Sequence, residues 1–213
     1  MIEIMANLIS EARRGGERRQ PDPERMRELV PRMARIMQEA GFQRREDNAA
    51  VFDRLADYFA TWRGAVDGEW DYPERGLFLY GPTGTGKTTA MRIFSALFQI
   101  EIIYIRQLAK AFASNSAGSF WGWIDDLDIQ HVIFDDIGNE GIVRHFGQPI
   151  PMQAIIDQRD DVFRRRGKLT FFTSNMEKSE YLAEMYGEAF RSRLLGLIGK
   201  GNFLKMDGKD NRF

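Results

Sequence analysis

The stretch GLFLYGPTGTGKTTAM, from Gly76 to Met91, constrains the fold of this chain more than any other. An apolar run ends in a glycine-rich turn, and the turn opens through Gly-Lys-Thr-Thr into a helical pattern. The segment Gly81-Pro82-Thr83-Gly84-Thr85-Gly86-Lys87-Thr88 matches the spacing G-x-x-x-x-G-K-[ST], after an expected strand and at the start of an expected helix. Glycines let the backbone curl until successive N–H groups face inward. The partial positive charge of a helix N-terminus adds to them, so such a turn is a cradle for an anion. Lys87 is expected to meet the β- and γ-phosphates of a nucleoside triphosphate there, and the Thr88 hydroxyl to ligate Mg²⁺. The expected nucleotide-binding segment is Gly81 to Thr88, together with Thr89.

From Gly76 onward the chain repeats one pattern: short β-rich apolar runs (LFLY, EIIYI, HVIF, LTFF and NFLKM) separated mostly by helical stretches such as TTAMRIFSALF and MQAIIDQRDDVFRRRG. Runs that are apolar on both faces and alternate with helices predict a parallel sheet covered on both sides. Before it, residues 1 to about 65 read as helices. In PDPERMRELVPRMARIMQEAG, Asp22 is an N-cap, Pro23 a first helical residue and Gly41 a stop, with Pro31 expected to kink or split the helix. In REDNAAVFDRLADYFATWRG, Val51, Phe52, Leu55, Tyr58 and Phe59 recur at helical spacing until Gly64 breaks the pattern.

The run HVIFDDIGNEG ends in two carboxylates. Paired acids at the end of a buried strand are costly unless a cation or a hydrogen-bonded water occupies the site. Asp135 suits the Mg²⁺ shell, and Asp136 then orients or deprotonates an attacking water, a hydrolase arrangement more naturally than a kinase one. Glu140 on the following loop is a fallback base. KLTFFTSN repeats the logic with a neutral side chain, delivering Asn175 to the same sheet edge, where an amide holds the water or the γ-phosphate without added charge.

The composition removes several other classes. With no cysteine and two histidines, disulfides and thiolate zinc sites are excluded and a reducing cytoplasm is expected. A formal net charge of −1 does not commit the chain to nucleic acid. Arg13, Arg14, Arg18, Arg19, Arg44 and Arg45 are interleaved with acids and read as a solvated face, with a nucleic-acid patch as the lesser alternative. In the N-terminal MIEIMANLISEARR the basic residues follow the apolar ones, and no run approaches the ~18 apolar residues that span a bilayer, so neither secretion nor membrane insertion is expected.

On GLFLYGPTGTGKTT, VIFDDIGNE, FFTSN, YGEAFRSRLL and the terminal DGKDNRF, the chain resembles the AAA+ ATPases of the DnaC/DnaI helicase-loader and IstB transposition-helper group. The resemblance covers roughly residues 75–213. It implies an α/β P-loop NTPase fold of the AAA+ ASCE type: a five-stranded parallel sheet in the order 5-1-4-3-2, flanked by helices, preceded by an N-terminal helical region and with no C-terminal lid. It implies Lys87 and Thr88 as Walker A, Asp135 and Asp136 as Walker B, Asn175 as sensor 1, and Arg193 as an arginine finger. It also hints that Arg212 approaches the nucleotide. Two departures stand out. The chain has Gly187-Glu188-Ala189 where the family often places an arginine after the acid, so Arg191 competes with Arg193. Asp136 stands where glutamate is frequent, one methylene shorter.

The expected division is a helical region, 1–65, that carries partner contacts, and an ATPase domain, 66–213. The expected function is an ATP- and Mg²⁺-dependent ATPase of replication or transposition. It forms a homo-oligomer on binding ATP and serves a replicative helicase or a transposase, with single-stranded DNA as a further candidate partner. Phe120, Trp121 and Trp123 are the candidate base-stacking residues, against the blander alternative of packing within the domain. The competing functions are a small-molecule kinase, for which Phe163 to Lys168 is the only lid candidate, and a nucleotide-dependent switch with little turnover.

Overall fold

The structure, a computed structural model, describes residues 20–208 apart from 69, 71–72, 115–116, 140–143, 146–147, 150–151 and 177–178. Among the residues singled out above, Arg13, Arg14, Arg18, Arg19, Glu140 and Arg212 lie outside those described, as do the side chains of Trp121 and Trp123.

Helix α1 runs from Pro23 to Glu39, and Asp22 caps it by accepting the Glu24 N–H at 3.0 Å. Pro31 does not split this helix as the sequence suggested. Pro31 and Arg27, whose carbonyl loses its i+4 donor, are both exposed, so the carbonyl is open to solvent. Leu29, Met33 and Met37 bury one stripe of α1 against α2, Ala49–Val66. Gly64 lies within α2 and does not end it. A side chain there would put its Cβ 1.6 Å from Trp70, so the glycine is a slot for the indole, whose Nε1 donates to the Thr61 carbonyl at 2.8 Å.

The five expected runs are the five strands of one parallel sheet. They are β1 (Phe78–Tyr80), β2 (Glu101–Tyr104), β3 (Val132–Ile137), β6 (Thr170–Ser174) and β7 (Phe203–Lys205), in the order β2-β3-β6-β1-β7. This is the order 5-1-4-3-2 when the sheet's own strands are counted along the chain. A two-stranded antiparallel pair, β4 (Arg144–His145) with β5 (Gln148–Pro149), was not anticipated.

Alternate strand residues serve two cores, as the doubly apolar runs require. Leu77, Leu79, Ile133 and Phe171 face α1, α2 and α3 (Lys87–Phe98). Here Phe94 stacks on Phe59 with ring centroids 4.6 Å apart and meets Trp62 and Phe171 edge-on. Phe78, Val132, Phe134 and Phe172 face the other layer: α4 (Ile105–Ser114), α5 (Ala117–Asp126), α6 (Met152–Arg166), α7 (Ser179–Tyr186) and α8 (Glu188–Ile198). The described helices before residue 66 therefore share a core with the sheet. The division at 65/66 falls inside α2, whose last residue is Val66.

Parallel pairing brings the C-terminal ends of β1, β3 and β6 to one edge. Whatever those strands deliver converges there.

Candidate nucleotide site

The turn from β1 into α3 wraps one end of a cavity of about 710 Å³, within the range of small-molecule sites. Gly86 caps α3 with φ +96°, and a Cβ there would stand 2.9 Å from the Phe42 ring, so backbone conformation and close approach both require glycine. Buried Lys87 lies within the turn, its Nζ donating to the Gly81 carbonyl at 2.7 Å and the Pro82 carbonyl at 2.6 Å. These acceptors carry no net charge, so they do not neutralise the ammonium as a carboxylate would. The Thr85 hydroxyl donates to the Pro82 carbonyl at 3.0 Å and ties the turn across itself. Thr83, Gly84, Gly86, Lys87, Thr88 and Thr89 line the cavity.

Asp135 arrives from β3, buried at 3% exposure. The Thr88 hydroxyl donates to its two oxygens at 3.0 and 3.1 Å, and the Thr173 hydroxyl to Oδ1 at 2.7 Å. Burial pushes the Asp135 carboxyl above its ordinary value. The hydrogen bonds from Thr173 and Thr88 oppose this, neighbouring Asp136 adds to it, and Arg92 opposes it. An adjacent hydroxyl and a buried carboxylate are hard oxygen donors that fit Mg²⁺. Among the described residues no group of three or more His, Cys, Asp or Glu is placed to hold a metal ion, so a cation here needs phosphate or water for its other ligands.

Asp136 takes a left-handed backbone, φ +69°, where the β3–β6 register shifts between Phe134 and Ile137. The left-handed residue and the register shift break the regular alternation of the strand at this point. The Asp136 N–H donates to Thr173 Oγ1 at 2.7 Å, linking the two acids through one hydroxyl. Asn175 Nδ2 donates to Asp136 Oδ1 at 2.5 Å, and Asn139 Nδ2 to Oδ2 at 2.7 Å. Asp136, Thr173 and Asn175 share the cavity with the glycine-rich turn.

Arg193 and Arg191 do not line this cavity. Arg193 is an exposed residue of α8 that flanks the buried stripe of Phe190, Leu194 and Leu197, and pairs with Asp157 and Asp160 of α6. Arg191 pairs with Glu188 at 3.5 Å. The segment from Phe163 to Lys168 includes the last turn of α6; Arg164 pairs with Asp160, and Arg165 with Asp161. Phe120 is 1% exposed and packs edge-on against Phe112, so it belongs to the core and offers no face to a base.

Several site residues escaped the sequence reading. Gly41, Phe42, Gln43, Arg45 and Asn48, between α1 and α2, form the far wall. Buried Asn48 knits it, accepting the Arg45 N–H at 2.8 Å and donating to the Gln43 carbonyl at 2.9 Å. Arg92 also lines the cavity and donates from Nε to the Tyr104 hydroxyl at 3.1 Å. Two signals were available: Arg92 is one helical turn beyond Thr88, and Thr173 lies on the Asn175 strand two residues earlier. Nothing local marked the far wall.

Fold and strand order together define the class: this is the α/β fold of the AAA+ P-loop NTPases. No family model matches the chain, and no curated protein matches it. Among solved structures, the DnaC helicase loader aligns over 80% of this chain and 98% of its own length, at 17% identity and a TM-score of 0.55. The Aeropyrum pernix ORC1 protein in complex with DNA covers 83% of this chain at 15% identity and a TM-score of 0.48. Cdc6p from Pyrobaculum aerophilum covers 81% at 14% and 0.44. This chain spans 49% and 48% of those two proteins. At these identities the likeness is one of fold. No helix among the described residues is long and apolar enough to cross a membrane.

Proposed function

We propose that the chain is a Mg²⁺-dependent AAA+ ATPase acting in DNA replication or transposition, in the manner of a helicase loader or a transposase helper. One observation carries the hydrolytic reading: Lys87, Thr88, Asp136 and Asn175, from the start of α3, from β3 and from the residue after β6, line a single cavity, with Asp135 just behind it on the Thr88 hydroxyl. The turn amides and Lys87 bind the β- and γ-phosphates. Thr88 and Asp135 hold Mg²⁺, which when bound neutralises charge on the phosphate oxygens. Asp136, oriented by Asn175, aligns a water for attack on the γ-phosphorus as the bond to the ADP oxygen breaks. Phe42, Gln43, Arg45 and Asn48, which share the cavity with the turn, would line the side of the nucleotide away from Asp136.

The biological role is supported by the fold shared with the DnaC helicase loader and by the sequence motifs. On this reading the protein is a cytoplasmic homo-oligomer with ATP bound, Arg193 or Arg191 reaches a neighbour's nucleotide, and the region before residue 66 meets the helicase or transposase. Phosphate release by the purified full chain with ATP and Mg²⁺, with and without single-stranded DNA, tests it against Lys87→Ala. Turnover that is lost in the variant supports the reading. Equal phosphate release by both proteins overturns it.

A further inference from the structure

We propose that Asn139 is a positioning residue for Asp136, fixing the plane of its carboxylate toward the attacking water. The inference rests on the hydrolytic role of Asp136 proposed above. Asp136 and Asn139 meet twice. The Asn139 N–H donates to the Asp136 carbonyl at 3.3 Å, closing a tight turn, and the Asn139 amide donates to Asp136 Oδ2 at 2.7 Å. The other oxygen, Oδ1, accepts from Asn175, the residue that follows the adjacent strand β6. A carboxylate rotates about a broad, two-fold terminal torsion, so its own covalent frame does not aim it. One donor leaves it free to pivot about the remaining bond. Two donors, one on each oxygen and from different segments of the chain, hold the plane.

The clamp does not exhaust the carboxylate. Two ionised oxygens offer about four acceptor directions, so each retains room for a water hydrogen while its amide stays in place. The turn that carries Asn139 is itself anchored, because the Gly138 N–H donates to the Tyr186 hydroxyl at the end of α7 at 3.0 Å. Asn139 is thus held from two sides.

The competing explanation is that asparagine merely suits a turn. The two roles separate in Asn139→Asp, which keeps the shape and the turn preference but loses the donor and sets a like charge against Asp136. With Asn139→Ala and Asp136→Ala measured alongside, positioning requires kcat to fall roughly tenfold to a hundredfold in both Asn139 variants, with Asp no better than Ala. The KM for ATP and the Tm stay at wild-type values. A wild-type rate in Asn139→Asp overturns the proposal, as does a fall in kcat matched by a fall in Tm or a rise in KM. If the wild-type protein releases no phosphate, or Asp136→Ala releases it normally, the hydrolytic role of Asp136 fails and this inference falls with it. A hydrolysing wild type with an impaired Asp136→Ala and a fully active Asn139→Asp removes Asn139 alone.

Discussion

Arg193 on α8 donates from Nε to Asp157 Oδ1 on α6 at 3.1 Å, and its Nη1 lies 3.3 Å from Asp160 Oδ2. The arginine that the motifs single out for catalysis in a neighbouring subunit is therefore occupied within its own chain. Both Arg193 and Asp157 are about half exposed, and exposed pairs contribute only about 0–1 kcal/mol, so this contact exchanges readily for a phosphate, whereas the largely buried Asp160 carboxylate holds the arginine more firmly.

If Arg193 acts across an interface, Arg193→Ala binds ATP normally but turns it over slowly, by a factor on the order of 10³ as for arginine fingers generally. Asp157→Ala, which loosens the competing contact, leaves the rate unchanged or raises it. Mixing Arg193→Ala with Asp136→Asn restores part of the activity, because one intact cavity then faces one intact arginine. Steady-state phosphate release across a range of protein concentrations reads all three. Normal turnover by Arg193→Ala at every concentration removes it from catalysis and turns attention to Arg191.

Asp136→Asn is expected to retain ATP and lose hydrolysis. The change keeps the shape but leaves one acceptor oxygen where two amides donate, so an N–H₂ group of the new side chain must oppose Asn139 or Asn175. A loss of orientation and of basicity together predicts a rate at least about 10²-fold lower, with nucleotide affinity held. Equilibrium binding of a fluorescent ATP analogue beside phosphate release checks both halves. Normal hydrolysis in this variant would move the base to another acid.

The five strands, their parallel pairing and the phosphate turn were legible because each has a local signature: doubly apolar runs, glycine spacing, acids closing a strand. The site was legible only where it follows those strands. Phe42, Gln43, Arg45 and Asn48 come from a connection that resembles any polar loop, and only tertiary packing brings Phe42 over Gly86. Pro31 and Gly64 misled for a related reason. Intrinsic preference reads them as breaks, but exposure excuses the proline and the Trp70 ring requires the glycine.

That shared packing bears on truncation. Deleting residues 1–65 strips α1 and most of α2 from the sheet, uncovering Leu77, Leu79, Phe94 and Phe171 and removing one wall of the cavity. The fragment 66–213 is expected to be insoluble or to lack a cooperative transition, whatever its partners bind. Circular dichroism melting and size-exclusion chromatography of the fragment check this. A soluble fragment that melts cooperatively and binds ATP would show that the helical region is dispensable to the core.

The last prediction concerns a buried cation remote from the cavity. Arg159 on α6 is 1% exposed, and its guanidinium spans three segments. Nε donates to Thr170 Oγ1 at 3.0 Å, Nη1 to the Leu127 carbonyl at 2.7 Å, and Nη2 to the Gln130 carbonyl at 3.0 Å. Burial pulls it down to about 10, which still leaves it charged at neutral pH. The fork therefore ties α6 to the approach to β3 and to the first residue of β6, the strands that deliver Asp135, Asp136 and Asn175. Arg159→Met preserves much of the volume but takes the donor from the half-buried Gln130 carbonyl and the Thr170 hydroxyl, while the Leu127 carbonyl keeps the Gln130 N–H at 3.1 Å, so the cost is about 1–3 kcal/mol. Arg159→Lys supplies a point charge in place of the planar fork and recovers only part of this. Chemical denaturation is expected to rank the proteins wild type, Lys, Met in falling midpoint, with similar m-values. A midpoint for Arg159→Met equal to wild type would mean that water or a local shift satisfies those groups, and that the fork does not brace β3 and β6.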